Sequence, residues 1–234
     1  MPVFELGAEH LFPSPELTEP SGLLAVGGDL HPERILLAYR NGIFPWFDRS
    51  SPVLWWSPDP RMVLFPENLH ISRSLKKVLK KSDFKITLDE NFESVITGCA
   101  YSRINNGEET WITDDMIDAY VKLHSSGFAH SVEVWKNNEL AAGIYGVSIG
   151  RVFCGESMFT KVPDGSKTGF VYLVKQLEKW GFFMIDCQVE TENLQRFGAL
   201  NIPRKEFLLH LDKNLDSSYC PYGKWKFDSD FKLE

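Results

Sequence analysis

No stretch of this chain holds the roughly 18 uninterrupted apolar residues of a membrane span, and "MPVFELGAEHLFPSP" lacks the basic start and apolar run of a secretory leader. The expectation is a soluble, cytoplasmic protein with no membrane partner. Cysteine is scarce: Cys99, Cys154, Cys187 and Cys220 stand far apart and form no C-x-x-C. That pattern speaks against a zinc site or a disulfide framework and leaves reduced, mostly buried thiols. Also missing are G-x-G-x-x-G, G-x-x-x-x-G-K-[ST] and H-E-x-x-H, so dinucleotide, phosphate-loop and zinc-protease chemistry find no support. There is no internal repeat.

What is present begins with burial. Apolar residues make up 43% and aromatics 13% of 234 residues, enough for a core without metal or disulfide help. The length fits one large domain or two unequal ones. Charge is the less ordinary property. The net charge is −7, yet between Arg61 and Lys85 seven Lys and Arg face only Glu67 and Asp83. Within "HISRSLKKVLKKSD", helical spacing puts Arg73, Lys76, Lys77, Lys80 and Lys81 on one face, with Ile71, Leu75, Val78 and Leu79 behind it. A cationic stripe on an acidic protein points to a polyanion.

The texture of the chain changes near residue 61. The first sixty residues are dense in Pro, Gly and Trp, which makes turns and short pieces around one helix from about Pro32 to a stop at Gly42. "SPDPR", Ser57 to Arg61, is stiff and extended and suits a joint between two domains. Beyond Met62 helices and strands alternate. Ser72 caps the basic helix and Thr113 caps "DDMIDAYVKLHSSG"; three strands follow in "HSVEVWKNNELAAGIYGVSIGRVFCG", with turns at Asn137-Asn138 and Ile149-Gly150. A helix over roughly Ser166 to Trp180, a buried strand in "FFMIDCQVE" and a short helix in "TENLQRFG" complete an α+β order around a central sheet.

Two strands carry charges where burial is expected. In "MIDCQV" the period of two places Asp186 and Gln188 on one face, and in "CGESMF" Glu156 interrupts an apolar run beside a glycine that permits close approach. Two such interruptions in neighbouring strands suggest a site. Trp46, Trp55, Trp56 and Trp111 lie in polar or turn-rich contexts, and indoles beside a cationic stripe suit an unpaired nucleic-acid end.

Eight segments in order, "GLLAVGGDL", "AYRNGIFPWF", "LWWSPDPR", "LHISRSLKK", "TWIT", "GESMF", "IDCQV" and "IPRKEF", resemble the leucyl/phenylalanyl-tRNA-protein transferases of bacteria. The likeness runs from about Phe12 to Phe207. It implies a small N-terminal domain, residues 1–61, followed by a GNAT-type acyltransferase domain, 62–234, with a mostly antiparallel central sheet. It also implies transfer of Leu or Phe from Leu-tRNA or Phe-tRNA to proteins or peptides with N-terminal Arg or Lys, which marks them for N-degron degradation.

That reaction is aminolysis of an ester and requires neither ATP nor metal, so no cofactor is expected. By the resemblance Asp186 and Gln188 lie at the reacting centre, and Glu156 holds the donor's α-amino group. An amide is far too weakly basic to deprotonate an ammonium, so Gln188 is read as a hydrogen-bonding positioner oriented by Asp186. The donor side-chain pocket maps onto Ile144, Phe153, Met158, Phe170, Leu173 and Ile185, with Trp46 and Trp111 beside the terminal adenosine. Arg73, Lys76, Lys77, Lys80 and Lys81 would hold tRNA phosphates. Two other classes stay open: a non-catalytic tRNA- or RNA-binding module, and an acetyl-CoA-type N-acyltransferase. The second lacks a glycine-rich pyrophosphate turn in "ESMFTKVPDGSK".

Overall fold

The computed structural model describes residues 3–81, 83–105, 110–216, 221 and 223–233. The chain opens with short strands β1 (Phe4–Leu6) and β2 (Leu23–Gly27), helix α1 (Pro32–Arg40), and strands β3 (Phe44–Pro45) and β4 (Leu54–Trp56). These strands form a four-stranded sheet in the order β1-β2-β4-β3. As expected, α1 starts on a proline and stops before Gly42, whose φ of +70° ends the helix.

The rest builds a second sheet. In chain order it comprises β5 (Arg61–Leu64), α2 (Arg73–Lys81), β6 (Lys85–Leu88), α3 (Phe92–Asn105), α4 (Asp114–Ser125), β7 (Ala129–Lys136), β8 (Glu139–Ile149), β9 (Val152–Thr160), α5 (Gly165–Lys179), β10 (Met184–Gln188), α6 (Glu192–Arg196), β11 (Leu200–Ile202) and α7 (Arg204–Lys213). The seven strands lie in the order β11-β5-β10-β9-β8-β7-β6. Every pairing is antiparallel except β9 with β10, which α5 connects. The fold is therefore mixed α+β with a mostly antiparallel main sheet. The β7–β8 turn uses Asn137 and Asn138 at φ +52° and +63°, the left-handed pair that a two-residue hairpin needs. The β8–β9 turn falls one residue later than expected, at Gly150 and Arg151. Helices α3 and α7 lie outside the expected set. Apolar residues are spread around α3, so its sequence shows no one-sided stripe.

Two cores flank the main sheet. One gathers Val95, Ile96, Met116, Tyr120, Tyr145 and Val147 and runs without a break into Ile35, Tyr39, Leu24 and Trp55 of the first sixty residues. The other, under α5, holds Ile144, Phe153, Phe170, Leu173, Val174 and Ile185. Ile144 and Tyr145, adjacent in β8, thus belong to opposite faces. The segment Ser57 to Arg61 is less of a free joint than its prolines suggest. Ser57 and Arg61 are both 0% exposed, and Arg204 at the start of α7 grips the segment through the Ser57 carbonyl (2.6 Å) and the Asp59 carboxylate (3.0 Å).

Among the described residues no helix is long and apolar enough to cross a membrane. Cys99, Cys154 and Cys187 are buried, and Cys220 lies outside the described residues.

Candidate active site

The parallel pair β9 and β10 runs together only from Met184 opposite Val152 to Asp186 opposite Cys154. Beyond that point β9 continues through Gly155–Met158, half-buried, without β10 beside it. A fork in a sheet leaves a gap between strands, and here the gap opens into a cavity of about 350 Å³, at the small end of ligand pockets.

The cavity's apolar walls include Ile144, Phe153, Met158, Phe170, Leu173 and Ile185, so the structure brings together the six residues named from the resemblance. Glu156 and Gln188 stand at the fork, and Gln188 Nε2 donates to Glu156 Oε1 at 2.7 Å. The Tyr39 hydroxyl, brought from α1, donates to the same oxygen at 2.6 Å, and the Tyr120 hydroxyl of α4 reaches Oε2 at 3.2 Å. The two phenols also touch each other at 2.5 Å. Three oxygen–oxygen contacts thus share two phenolic protons, and a proton on Glu156 would complete the ring. Burial pushes the Glu156 carboxyl up to about 7, against the pull of the Tyr39, Tyr120 and Gln188 donors. Burial, with Glu156 nearby, raises both phenols well above their usual range, so they act as donors.

Asp186 is 1% exposed and bound in two places. Arg61 holds it bidentately, Nε to Oδ1 and Nη2 to Oδ2, both at 2.7 Å. Its Oδ1 also accepts the backbone N–H of Gln188 at 2.9 Å. That bond modifies the expected arrangement. The strict alternation in "MIDCQV" is broken by a register shift between Asp186 and Gln188, and Gln188 adopts φ +61°. Asp186 therefore fixes the backbone of Gln188, not its amide. The positive stretch beginning at Arg61 needs a matching correction, because that guanidinium is 0% exposed and neutralised by Asp186. Its Nη1 finds no hydrogen-bond partner among the described residues, while its carbon lies 4.8 Å and 4.6 Å from the Phe44 and Phe207 ring centres.

The tryptophans divide. Trp46, 46% exposed, and Trp111, half-buried, line the cavity mouth. Trp55 is core, fully buried with its indole N–H on the Gly27 carbonyl, and Trp56 donates to the Trp46 carbonyl. Turn-rich sequence around Trp55 concealed a core position.

The cationic face of α2 is as expected. Arg73, Lys76, Lys77, Lys80 and Lys81 are exposed, and Leu75 is buried beneath them. Ser72 Oγ accepts the Leu75 N–H at 3.2 Å, which caps the helix. A groove of about 710 Å³ beside it, with His70, Ser72, Lys167 and Arg196 in its walls, shares Asn193 of α6 with the apolar cavity. Cys154 and Cys187 are poor nucleophiles, because burial pushes both thiols well above the ordinary range.

Sequence reasoning missed Tyr39, Tyr120 and Arg61. A signal existed for Arg61, a cation opening the apolar run "MVLF". For the tyrosines there was none, because a phenol on a buried helix face reads as core.

An apolar cavity with a hydrogen-bonded acid at its edge is the arrangement of a candidate enzyme site for a substrate with an apolar arm and a polar head. The family profile described as leucyl/phenylalanyl-tRNA protein transferase matches residues 63–212, and that of the N-terminal domain of the same transferase matches 28–59. The leucyl/phenylalanyl-tRNA–protein transferase of Anaeromyxobacter sp. (strain K) is 54% identical over 226 residues, covering 97% of each chain. That of Saccharophagus degradans is 57% identical over 212 residues, 90% of this chain and 87% of its own. The chain belongs to the leucyl/phenylalanyl-tRNA–protein transferase family. It is an aminoacyltransferase, and the two other classes left open by the sequence fall away. Among solved structures, a GCN5-related N-acetyltransferase from Kribbella flavida aligns at TM-score 0.40 and 10% identity over 71% of this chain and 58% of its own, too remote to add to the assignment.

Proposed function

We propose that the cavity at the fork receives the Leu or Phe side chain of an aminoacyl-tRNA, and that the ester is aminolysed by the N-terminal amine of a protein beginning with Arg or Lys. Glu156 carries this reading: a carboxylate with three donors, at the mouth of an apolar cavity, is built to hold an α-ammonium whose side chain points inward. Trp46 and Trp111 at the rim give the terminal adenosine its stacking surfaces. The exposed cations of α2 neutralise phosphates of the acceptor stem, and the groove across α6 joins the two.

The acceptor's neutral amine attacks the ester carbonyl carbon. The C–N bond forms, the C–O bond to the ribose breaks, and the amine's proton passes to the leaving oxygen, relayed by the neighbouring ribose hydroxyl. Gln188 positions the amine, and Asp186, pinned by Arg61, holds Gln188 at its left-handed backbone angle. The assignment of residues 1–61 and 62–234 to two domains, the second of GNAT type, belongs to the same reading. It rests on the resemblance and on the separate strand pairing of the two sheets. The acceptors so marked enter the N-degron route.

The test incubates the protein with radiolabelled Leu-tRNA and an Arg-starting peptide. Label on the peptide is expected, and much less on the same peptide starting with Leu; no label with either removes the reading.

A further inference from the structure

The last described stretch, 223–233, carries no motif and lies beyond the matched residues 63–212, yet it packs against a residue that lines the cavity. Trp225 is 1% exposed. Its backbone N–H donates to Asp89 Oδ2 at 2.7 Å, and its indole N–H donates to the Pro221 carbonyl at 3.1 Å. The same Asp89 oxygen faces His130 Nδ1 at 2.8 Å, while Oδ1 accepts the Ser131 N–H at 2.7 Å. His130 lies flat on the indole, with centroids 3.6 Å apart and planes 4° apart. Burial keeps the His130 pKa below its ordinary value, so the ring stacks as a neutral aromatic. Asp89 and His130 look like a catalytic pair, but their side chains are 0% and 2% exposed, and they fasten Trp225 in place.

The indole also meets Phe153 at 5.9 Å, and Phe153 is a wall of the cavity. The Phe153 ring also packs closely on Gly146. A Cβ on Gly146 would stand 2.5 Å from Phe153 Cζ and 2.3 Å from the Cys154 carbonyl. The ring thus touches both the β8 backbone at Gly146 and Trp225, and removing the indole frees space beside it. Farther along, Asp228 accepts from Gln176 Nε2 at 3.0 Å and from Trp180 Nε1 at 3.1 Å, and Phe227 and Phe231 pack on Tyr172. Tyr172 and Gln176 lie on α5, which brings Phe170 and Leu173 to the same cavity.

We propose that the C-terminal stretch sets the depth of the donor pocket, and that Trp225 is a specificity-determining positioning residue acting through Phe153. This rests on the reading of the cavity as the Leu and Phe pocket. Shortening Trp225 deepens the pocket, which favours the longer Phe side chain and leaves Leu underfilling it.

The experiment compares kcat/KM for Leu-tRNA and Phe-tRNA, with one Arg-starting peptide, in the full-length wild type and in Trp225→Leu. The Phe-to-Leu ratio is expected to rise about tenfold, the low end of what a methylene is worth in an apolar pocket, with the shift carried mainly by KM. Trp225→Phe should restore most of the wild-type ratio, leaving a rise of about twofold. An unchanged or lowered ratio in folded Trp225→Leu overturns the proposal. Should that variant not fold, the ratio in Trp225→Phe decides, and no rise there overturns it equally. A wild type that transfers neither residue would instead sink the reading of the cavity itself.

Discussion

Glu133 and Glu156 make an instructive pair. Both interrupt apolar strands, "SVEVW" and "CGESM", and both are surrounded by donors. Glu133, 0% exposed in β7, accepts from the Thr87 and Ser131 hydroxyls and from the backbone N–H groups of Glu90 and Asn91, two donors on each oxygen. Glu156 has three donors, two of which also contact each other, and a cavity beside it. A carboxylate whose lone pairs are filled by its own chain ties a loop to a strand. One left short of a partner beside open space keeps capacity for a ligand. Burial of an acid is therefore a poor mark of chemistry; incomplete satisfaction at a strand fork is a better one.

Exchanging each acid for its amide tests this contrast most severely. Glu156→Gln is expected to lower kcat/KM for transfer by about 10² to 10³ while the protein stays folded. Its stability should move the other way. A carboxyl whose folded pKa, about 7, lies above its ordinary value near 4.5 binds more protons folded than unfolded, so its contribution falls as pH rises between those values. The amide variant should thus gain on the wild type from pH 5 to pH 8 by on the order of 2 kcal/mol, read by denaturant melts at both pH values. Glu133→Gln should lose about 1 to 3 kcal/mol of stability and keep its turnover per folded molecule. Equal loss of transfer in both variants would erase the distinction.

Asp186→Asn extends the comparison to an acid that is paired but still linked to the fork. Turnover is expected to drop about 10- to 100-fold, with donor affinity nearly unchanged, because in the proposed mechanism the Arg61 clamp and the Gln188 backbone bond hold the reacting geometry. Single-turnover kinetics and donor titration separate the two quantities; weakened donor binding alone would place Asp186 in the pocket. Trp46→Ala and Trp111→Ala should each cost about 1 to 3 kcal/mol of donor binding, largely recovered by Phe. If Ala unfolds either variant, the ring belongs to the core as Trp55 does. Changing Lys76, Lys77, Lys80 and Lys81 to Ala should have the smallest effect at low salt. It should flatten the salt dependence of KM for charged tRNA by about 0.7 to 0.9 log units for each phosphate no longer neutralised, and spare a minimal aminoacyl-adenosine. Equal losses with both donors would make α2 structural.

The legible part of the molecule was the part written in periodicity and caps. The basic stripe of α2, the Thr113 cap and the Asn137-Asn138 turn lie where the sequence put them, and the six residues named from the resemblance gather around one cavity. Hidden was whatever long-range pairing creates. Tyr39 meets Glu156 across 117 positions and Arg61 meets Asp186 across 125, and no local pattern encodes either meeting. The bulge at Gln188 was hidden too, because an alternating run reads as an unbroken strand until its partner imposes a register shift.

Tyr39 reaches Glu156 from α1, while Glu156 and Gln188 arrive only after more than a hundred further residues. During synthesis the earliest part must therefore wait, with Ile35, Ala38 and Trp55 lacking the rest of the core they share with the main sheet. The acid acquires its full set of partners only when beginning and middle have joined. If Glu156 holds the donor amine as proposed, that contact comes into being only once the two distant parts of the chain have met.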